Sequence, residues 1–181
     1  MKKVLGGLLF VVLSMAAYAA SDVVSAVEGS VKHIDAAGKT VAVKTADGTE
    51  HTFRVAGRTT VHGAEATSEA AKGSWHGLEE GSDVVVHYTK HGSEETAEEI
   101  DRVGKDGLKE TKGTLSKVDR TGKKIVVKGD DGVEHTYDLS DNAARDAGKG
   151  IAKGSEKSAK VSVYYTEEGG KKVAHFFKSI G

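Results

Sequence analysis

Gly29-Ser30-Val31 begins the stretch that decides the fold, and this stretch continues through Asp35, Gly38-Lys39, Val43-Lys44, Asp47-Gly48 and Glu50-His51-Thr52-Phe53. The same pattern returns as Gly113-Thr114-Leu115, Asp119, Gly122-Lys123, Val127-Lys128, Asp131-Gly132 and Glu134-His135-Thr136-Tyr137, at a constant offset of 84 residues. A period this long indicates a duplicated domain rather than a solenoid of short repeats. The sequence therefore predicts two copies of one small domain.

Each copy contains signals for three strands, a helix and two further strands. The Asp47-Gly48 and Asp131-Gly132 dipeptides are typical of hairpin turns, and Ala64–Lys72 and Asn142–Lys153 are rich in the helix formers Ala, Glu and Lys. The predicted strands of the first copy are Val27–Ile34, Thr40–Thr45, His51–Val55, Val84–Tyr88 and Thr96–Val103. Those of the second are Lys112–Val118, Lys124–Lys128, His135–Leu139, Val161–Tyr165 and Lys172–Ile180, with the last two strands now at an offset of 77.

This element order predicts a mainly β protein of two tandem five-stranded OB-like Greek-key barrels, each with one short helix between strands 3 and 4. An SH3-like barrel or two stacked meanders are the alternatives. Alternate residues fill the interior of a small barrel. The predicted interior residues are Val31, Val41, Val43, Phe53, Val55, Val84, Val86, Tyr88 and Ile100, and their equivalents Leu115, Ile125, Val127, Tyr137, Leu139, Val161, Val163, Tyr165 and Phe177.

The shared pattern G-x-V … D … G-K-x-[VI]-x-V … D-G … [FY] … V-x-V-x-Y resembles a family of small exported bacterial repeat domains of unknown function. The strand order is also similar to that of periplasmic bacterial OB-fold proteins. The resemblance covers nearly all of the chain after its first residues, and its motifs are turn and core positions. It implies a fold and a location, and it implies no catalytic residue.

The first residues have the pattern of an export signal. Lys2-Lys3 form a basic start, Val4–Ala17 is an apolar run, and Ala17-Tyr18-Ala19 is a small-x-small cleavage site. The run is shorter than the roughly 20 residues that span a bilayer. We therefore expect residues 1–19 to be a cleaved signal peptide, with no transmembrane span after cleavage, residues 22–104 to be the first repeat and 105–181 the second. The expected location is periplasmic or secreted.

Charge is divided unequally between the two copies. Residues 22–102 hold 8 Lys or Arg against 15 Asp or Glu, whereas residues 105–181 hold 16 against 12. Neutral drift of two solvated surfaces would explain this, and so would attraction between the copies, within one chain or head to tail between chains. The expected partners are another envelope protein, an anionic glycan or the protein itself. Nucleic acid is not expected, because the surfaces lack an aromatic-plus-basic strand pattern.

Three residues are candidates for ligand binding. His51 and His135 are the histidines that both copies keep at matching positions, each after a glutamate and in register with the interior aromatic residue two places on. They could face the barrel mouth as ligand or proton sites, or they could hydrogen-bond loop carbonyls there. Trp75 is the only tryptophan, and it could close one end of the barrel or stack against a sugar or aromatic ligand.

The first copy also holds most of the histidines and suggests a metal or acid-sensing site. His87 and His91 lie four residues apart, so that in one extended strand their Cα atoms would be about 13 Å apart. Zn–N bonds near 2.1 Å cannot join both to one ion unless the chain bends at Gly92. The predicted metal ligands are His62, His76, His87 and His91. With no Cys in the chain, disulfides and thiolate metal sites are excluded.

Catalysis has no support in the sequence, because no nucleophile elbow, phosphate loop or HExxH motif is present. No cofactor is predicted. We interpret the chain as a non-catalytic, exported binding or structural module of the bacterial cell envelope. The alternative is a weak divalent-metal-binding or acid-sensing protein that uses the His-rich, acidic first repeat.

Overall fold

The computed structural model describes residues 25–62, 77–105, 107–119, 121–150 and 158–180. Within them the chain forms ten strands and one helix. The elements are β1 (Ser25–Asp35), β2 (Thr40–Thr45), β3 (Glu50–His62), β4 (Asp83–His91), β5 (Glu94–Arg102), β6 (Lys109–Asp119), β7 (Lys124–Gly129), β8 (Glu134–Leu139), α1 (Asp141–Gly150), β9 (Lys160–Glu168) and β10 (Lys171–Ser179). The predicted signal peptide and the predicted helix Ala64–Lys72 lie outside the described residues.

The protein is mainly β, as predicted, and the ten strands form two separate closed barrels. The first barrel has the order β1-β2-β3-β5-β4, and the second repeats it as β6-β7-β8-β10-β9. The β3–β5 and β8–β10 pairs are parallel, and the other pairs are antiparallel. All ten predicted strands are present, although β3 runs seven residues beyond the predicted end at Val55.

Each barrel has its own apolar core. All nine predicted interior residues of each copy belong to its core cluster, which confirms the alternation of the strands. Leu78 and Ala97 add to the first core, and Ala143 and Ala174 add to the second. The interior aromatic pairs are equivalent: Phe53 lies 5.1 Å from Tyr88, and Tyr137 lies 5.2 Å from Tyr165, between ring centroids.

Helix α1 lies between β8 and β9 and starts one residue before its predicted beginning. Ser140 is its N-cap, because the Ser140 Oγ accepts a hydrogen bond from the Ala143 N–H at 3.1 Å. Ala143 turns into the second core, so that the helix covers one end of this barrel. Among the described residues no helix is long and apolar enough to cross a membrane.

The repeated turn residues have repeated roles. The Asp35 carboxylate accepts the Gly38 N–H at 2.8 Å, and the Asp119 carboxylate accepts the Gly122 N–H at the same distance. The Asp47-Gly48 turn has a positive φ of 88° at its glycine, which favours Gly over other residues. The duplicated motif therefore encodes the same hairpins twice.

A β-bulge interrupts the last strand of each barrel at the same repeat position. In β5 the pairing passes over Glu98, and in β10 it passes over His175, 77 residues later. A bulge sets two neighbouring residues against one residue of the partner strand, which breaks the alternation of faces. Glu98 and Glu99, and likewise His175 and Phe176, therefore both leave the barrel interior.

The two barrels contact each other through the outer faces of β4 and β5 in the first barrel and of β9 and β10 in the second. A third apolar group lies there, which we call the interface cluster and which consists of Val85, Leu108, Tyr164 and Phe176. The Tyr164 hydroxyl donates to Glu28 at 2.9 Å, and Lys178 forms an ion pair with the same carboxylate. One ion pair between the acidic and the basic copy thus lies within a single chain.

The first motif residue, Gly29 or Gly113, is expected to tolerate no side chain. A Cβ at Gly29 would stand 2.4 Å from the Lys44 carbonyl oxygen, and one at Gly113 would stand 2.4 Å from that of Lys128. Because backbone atoms must move, G29A and G113A should each lower the free energy of unfolding by about 1–3 kcal/mol in urea titrations. Gly57, where a Cβ meets nothing within 4 Å, provides the control G57A; equal losses in all three variants would contradict the explanation.

Candidate metal centre

Four side chains with metal-binding atoms meet where the two barrels touch. We call His62, Glu99, Asp101 and His175 the His–carboxylate cluster; one potential ligand atom from each lies within 4.8 Å of the others. His62 is the last residue of β3 and pairs with Asp101 on the parallel strand β5. Glu99 and His175 reach the interface because of the two bulges. The first barrel therefore supplies three members, and the second supplies His175.

The distances within the cluster are short. The His62 Nδ1 lies 2.9 Å from Asp101 Oδ1 and 3.1 Å from Glu99 Oε1. The His175 Nδ1 lies 3.4 Å from Glu99 Oε1 and 3.6 Å from Asp101 Oδ2. Ligands bound at 2.0–2.2 Å to one tetrahedral ion are roughly 3.3–3.6 Å apart. The two His175 separations match this range, whereas the His62 Nδ1 is closer to the carboxylates and is hydrogen-bonded to Asp101.

Two buried atoms of the cluster have no hydrogen bond. The Asp101 side chain is fully buried and that of His175 is 8% exposed; within the described part of the chain, neither Asp101 Oδ2 nor His175 Nδ1 has a hydrogen-bond partner. The majority of buried polar side-chain atoms in proteins are hydrogen-bonded. A cation between these two atoms would satisfy both of them.

Neighbouring groups orient the ligands. The Thr166 hydroxyl donates to Glu168 at 2.8 Å, so it accepts from the His175 Nε2–H, 3.1 Å away. Neutral His175 then carries its proton on Nε2 and turns the lone pair of Nδ1 towards the carboxylates. The Asn142 amide donates to Glu99 Oε2 at 2.7 Å and leaves Oε1 facing the two histidines. Such outer contacts are typical of metal sites.

The electrostatics of the cluster favour positive charge. The hydrogen bond to Asp101 raises the pKa of His62 above its usual 6.5. Burial opposes protonation of His175, but Glu99 and Asp101 outweigh it and raise this pKa as well. Burial would raise the pKa of Glu99, yet His175, Asn142 and the nearby His87 lower it to about 2. The site therefore holds two carboxylates that attract a cation.

The cluster opens to solvent on the side of His62, whose side chain is 48% exposed, whereas Glu99 is 7% exposed. This combination of one exposed and three buried ligands distinguishes the cluster from surface ion pairs such as His33 with Glu80.

Of the four metal ligands predicted from sequence, His62 belongs to this cluster. His87 lies beside it, fully buried, and its Nε2–H donates to the His175 carbonyl oxygen at 2.7 Å. His91 is exposed at the end of β4, opposite Glu94. His76 and Trp75 lie outside the described residues.

His51 and His135 occupy equivalent places at the barrel ends, but a glutamate contacts the first ring, whereas the second lies near both a lysine and Asp131, 3.6 Å from its Nε2. The His51 Nδ1 lies 2.9 Å from Glu95, and its ring stacks on Phe53 at 5.6 Å. The His135 Nδ1 lies 3.3 Å from the Lys172 ammonium. Lys172 and Glu95 are themselves repeat equivalents, at the offset of 77. A groove of about 370 Å³ borders His135. The acidic and basic residues that line it with His135 are Lys124, Glu134, Asp138, Lys171 and Lys172.

Sequence reasoning missed Glu99, Asp101 and His175. One signal was present: both Glu98-Glu99 and His175-Phe176 interrupt the alternation of apolar residues at the same aligned position. Recognising the bulge there would have moved these side chains to the outer face. Nothing in the aligned pattern connects them to His62, because β3 extends past Val55 while the second copy turns into α1 at the equivalent place.

Comparison with known proteins assigns no family. No protein-family model matches the chain, and no curated protein sequence is similar to it. Among solved structures, the silver(I) form of CusF is 16% identical, with a TM-score of 0.33, over 44% of this chain and 97% of its own. Residues 6–88 of apo-CusF from Escherichia coli are 17% identical, with a TM-score of 0.35, over 49% and 98%. These similarities are too distant to transfer a ligand or a function.

The raised pKa values of His62 and His175 predict the pH dependence of the metal-free protein. A folded-state pKa above the unfolded value means that the stabilisation is complete below about pH 6.5 and is lost as the pH rises through the folded values. H62Q should therefore lower the urea midpoint more at pH 5.5 than at pH 8, both in EDTA. H33Q is the surface control, and an equal loss from H62Q at both pH values would contradict the prediction.

Proposed function

We propose that this chain is a non-catalytic, exported protein that binds one divalent metal ion between two barrels. The observation that carries the proposal is the His–carboxylate cluster, with four ligand atoms within 4.8 Å and two buried atoms without hydrogen bonds. This function unites the two interpretations of the sequence, a binding module and a metal protein.

The ligand types favour a borderline divalent ion, with Zn²⁺ as the first candidate. Two imidazoles and two carboxylates suit Zn²⁺ and its neighbours, whereas Ca²⁺ and Mg²⁺ prefer oxygen ligands throughout. Soft ions such as Ag⁺ and Cu⁺ prefer sulfur; the chain has no Cys, and its two methionines are Met1 and Met15 in the predicted signal peptide. Two carboxylates also match the charge of one divalent ion.

The remaining parts of the proposal concern organisation and location. Residues 22–104 and 105–181 are two tandem OB-like Greek-key barrels, an assignment supported by the identical strand order of the barrels and by α1 between β8 and β9. Residues 1–19 are a signal peptide that directs the protein to the periplasm or out of the cell, as their basic and apolar pattern suggests. The protein acts by binding rather than by catalysis.

Calorimetric titration with Zn²⁺ tests the proposal. Untagged protein at pH 7.5 should give one saturable site, and H62A and H175A should each weaken binding at least about 100-fold, because each removes a ligand. N142A, which removes the hydrogen bond to Glu99, should weaken binding about 10-fold.

H33A is the matched control, because His33 forms a similar His–Glu pair, at 2.8 Å, outside the cluster. Its affinity should equal that of the unaltered protein, and circular dichroism should show all variants folded. An absence of saturable heat, or equal binding by a folded H62A/H175A double variant, would refute the metal site.

A second candidate function is binding of an anionic glycan at the end of the second barrel, and the groove beside His135 favours it. Lys171 is exposed at this groove. K171A should weaken binding of an acidic oligosaccharide such as a uronate oligomer, while E94A, at the equivalent position of the first barrel, should not. Equal affinities of both variants in NMR titrations, or binding of neutral oligosaccharides alone, would rule it out.

A further inference from the structure

We infer that the bound ion holds the two barrels together, so that metal occupancy controls whether they stay docked. We call this role of the ion the clamp. This inference rests on the proposed function and adds a regulatory consequence to it. Its basis is the origin of the ligands: His62 comes from β3, Glu99 and Asp101 come from β5, and His175 comes from β10 of the other barrel.

The site is complete only when the barrels are docked. Separation would leave the first barrel with one imidazole and two carboxylates, and would remove His175. It would also remove Asn142, which holds the Glu99 carboxylate from the second barrel at 2.7 Å. An ion that binds all four ligands must therefore favour the docked arrangement over the separated one.

Other contacts also join the barrels. The interface cluster contributes four buried apolar side chains, and the His87 ring contributes one hydrogen bond to the His175 carbonyl oxygen. Tyr164 and Lys178 of the second barrel both contact the Glu28 carboxylate of the first. Docking also buries Glu99, against His175 and Asn142 of the other barrel. Removing charged groups from water is costly unless each is fully compensated. An ion bound to all four ligands would add compensation that is present only in the docked arrangement.

Linkage makes the effect reciprocal: if the ion favours docking, then docking strengthens ion binding by the same factor. A substitution that weakens docking without touching a ligand should therefore weaken metal binding. Leu108 fulfils this condition, because it is buried in the interface cluster, belongs to neither barrel core and pairs with Val103 rather than with a ligand.

Distance measurement between the barrels tests the clamp. The chain has no Cys, so spin labels can be attached cleanly at Thr52 and Thr136, exposed residues at equivalent positions of the two barrels. In the chain without residues 1–19, T52C/T136C should give a narrow distribution of label distances with Zn²⁺. EDTA should broaden it towards longer distances, and H175A should keep it broad in both conditions.

Calorimetry on L108A provides the second measurement. Its affinity for Zn²⁺ should fall about 5-fold or more, within the usual range of coupling between sites, while V133A, which alters a valine that is 53% exposed, should bind as the unaltered protein does. Saturable Zn²⁺ binding with an unchanged label distribution and unchanged L108A affinity would overturn the clamp and leave the metal site standing. An absence of Zn²⁺ binding would overturn both.

Discussion

Two carboxylates buried between two barrels are the constraint on which the rest of this structure depends. Glu99 and Asp101 are almost completely removed from water, and burial of ionised groups costs several kcal/mol each unless partners compensate for it. His62 and His175 supply the compensating charge only when they carry a proton or share a metal ion. A cation bound between them would supply the same compensation, and this is the basis of the metal site that we propose.

The duplicated architecture explains how such an interface arises. The same outer face of each barrel takes part, and the chemistry of its repeat-equivalent residues is complementary: Asp101 corresponds to Lys178 and Glu99 corresponds to Phe176, at the offset of 77. One face thus became acidic, while the other became aromatic and basic. The unequal charge of the two copies, visible in composition alone, has at least one structural role, since Glu28 of the first barrel pairs with Lys178 of the second.

The sequence predicted the barrels well because the residues that specify each strand and turn lie close together along the chain and occur in both copies. The turn motifs and the alternation of apolar residues identified the strands, and the same alternation identified the interior residues of both cores. The candidate site could not be predicted in the same way. It depends on bulges that move Glu99 and His175 out of the alternation, on an extension of β3 that only the first copy has, and on docking between residues as distant in sequence as His62 and His175. Of these, only the bulges had a signal in the aligned copies.

A purely structural ion-pair network explains the cluster less well than a metal site does. Such a network would be expected to use the hydrogen-bonding capacity of its buried members, as Glu99 does with Asn142. Instead, Asp101 Oδ2 and His175 Nδ1 face each other at 3.6 Å, a separation too long for a hydrogen bond. Thr166 keeps the His175 proton on the opposite nitrogen. A neutral His175 therefore turns a lone pair towards two carboxylates, and this geometry is the reason that we propose a cation site there rather than an ion-pair network.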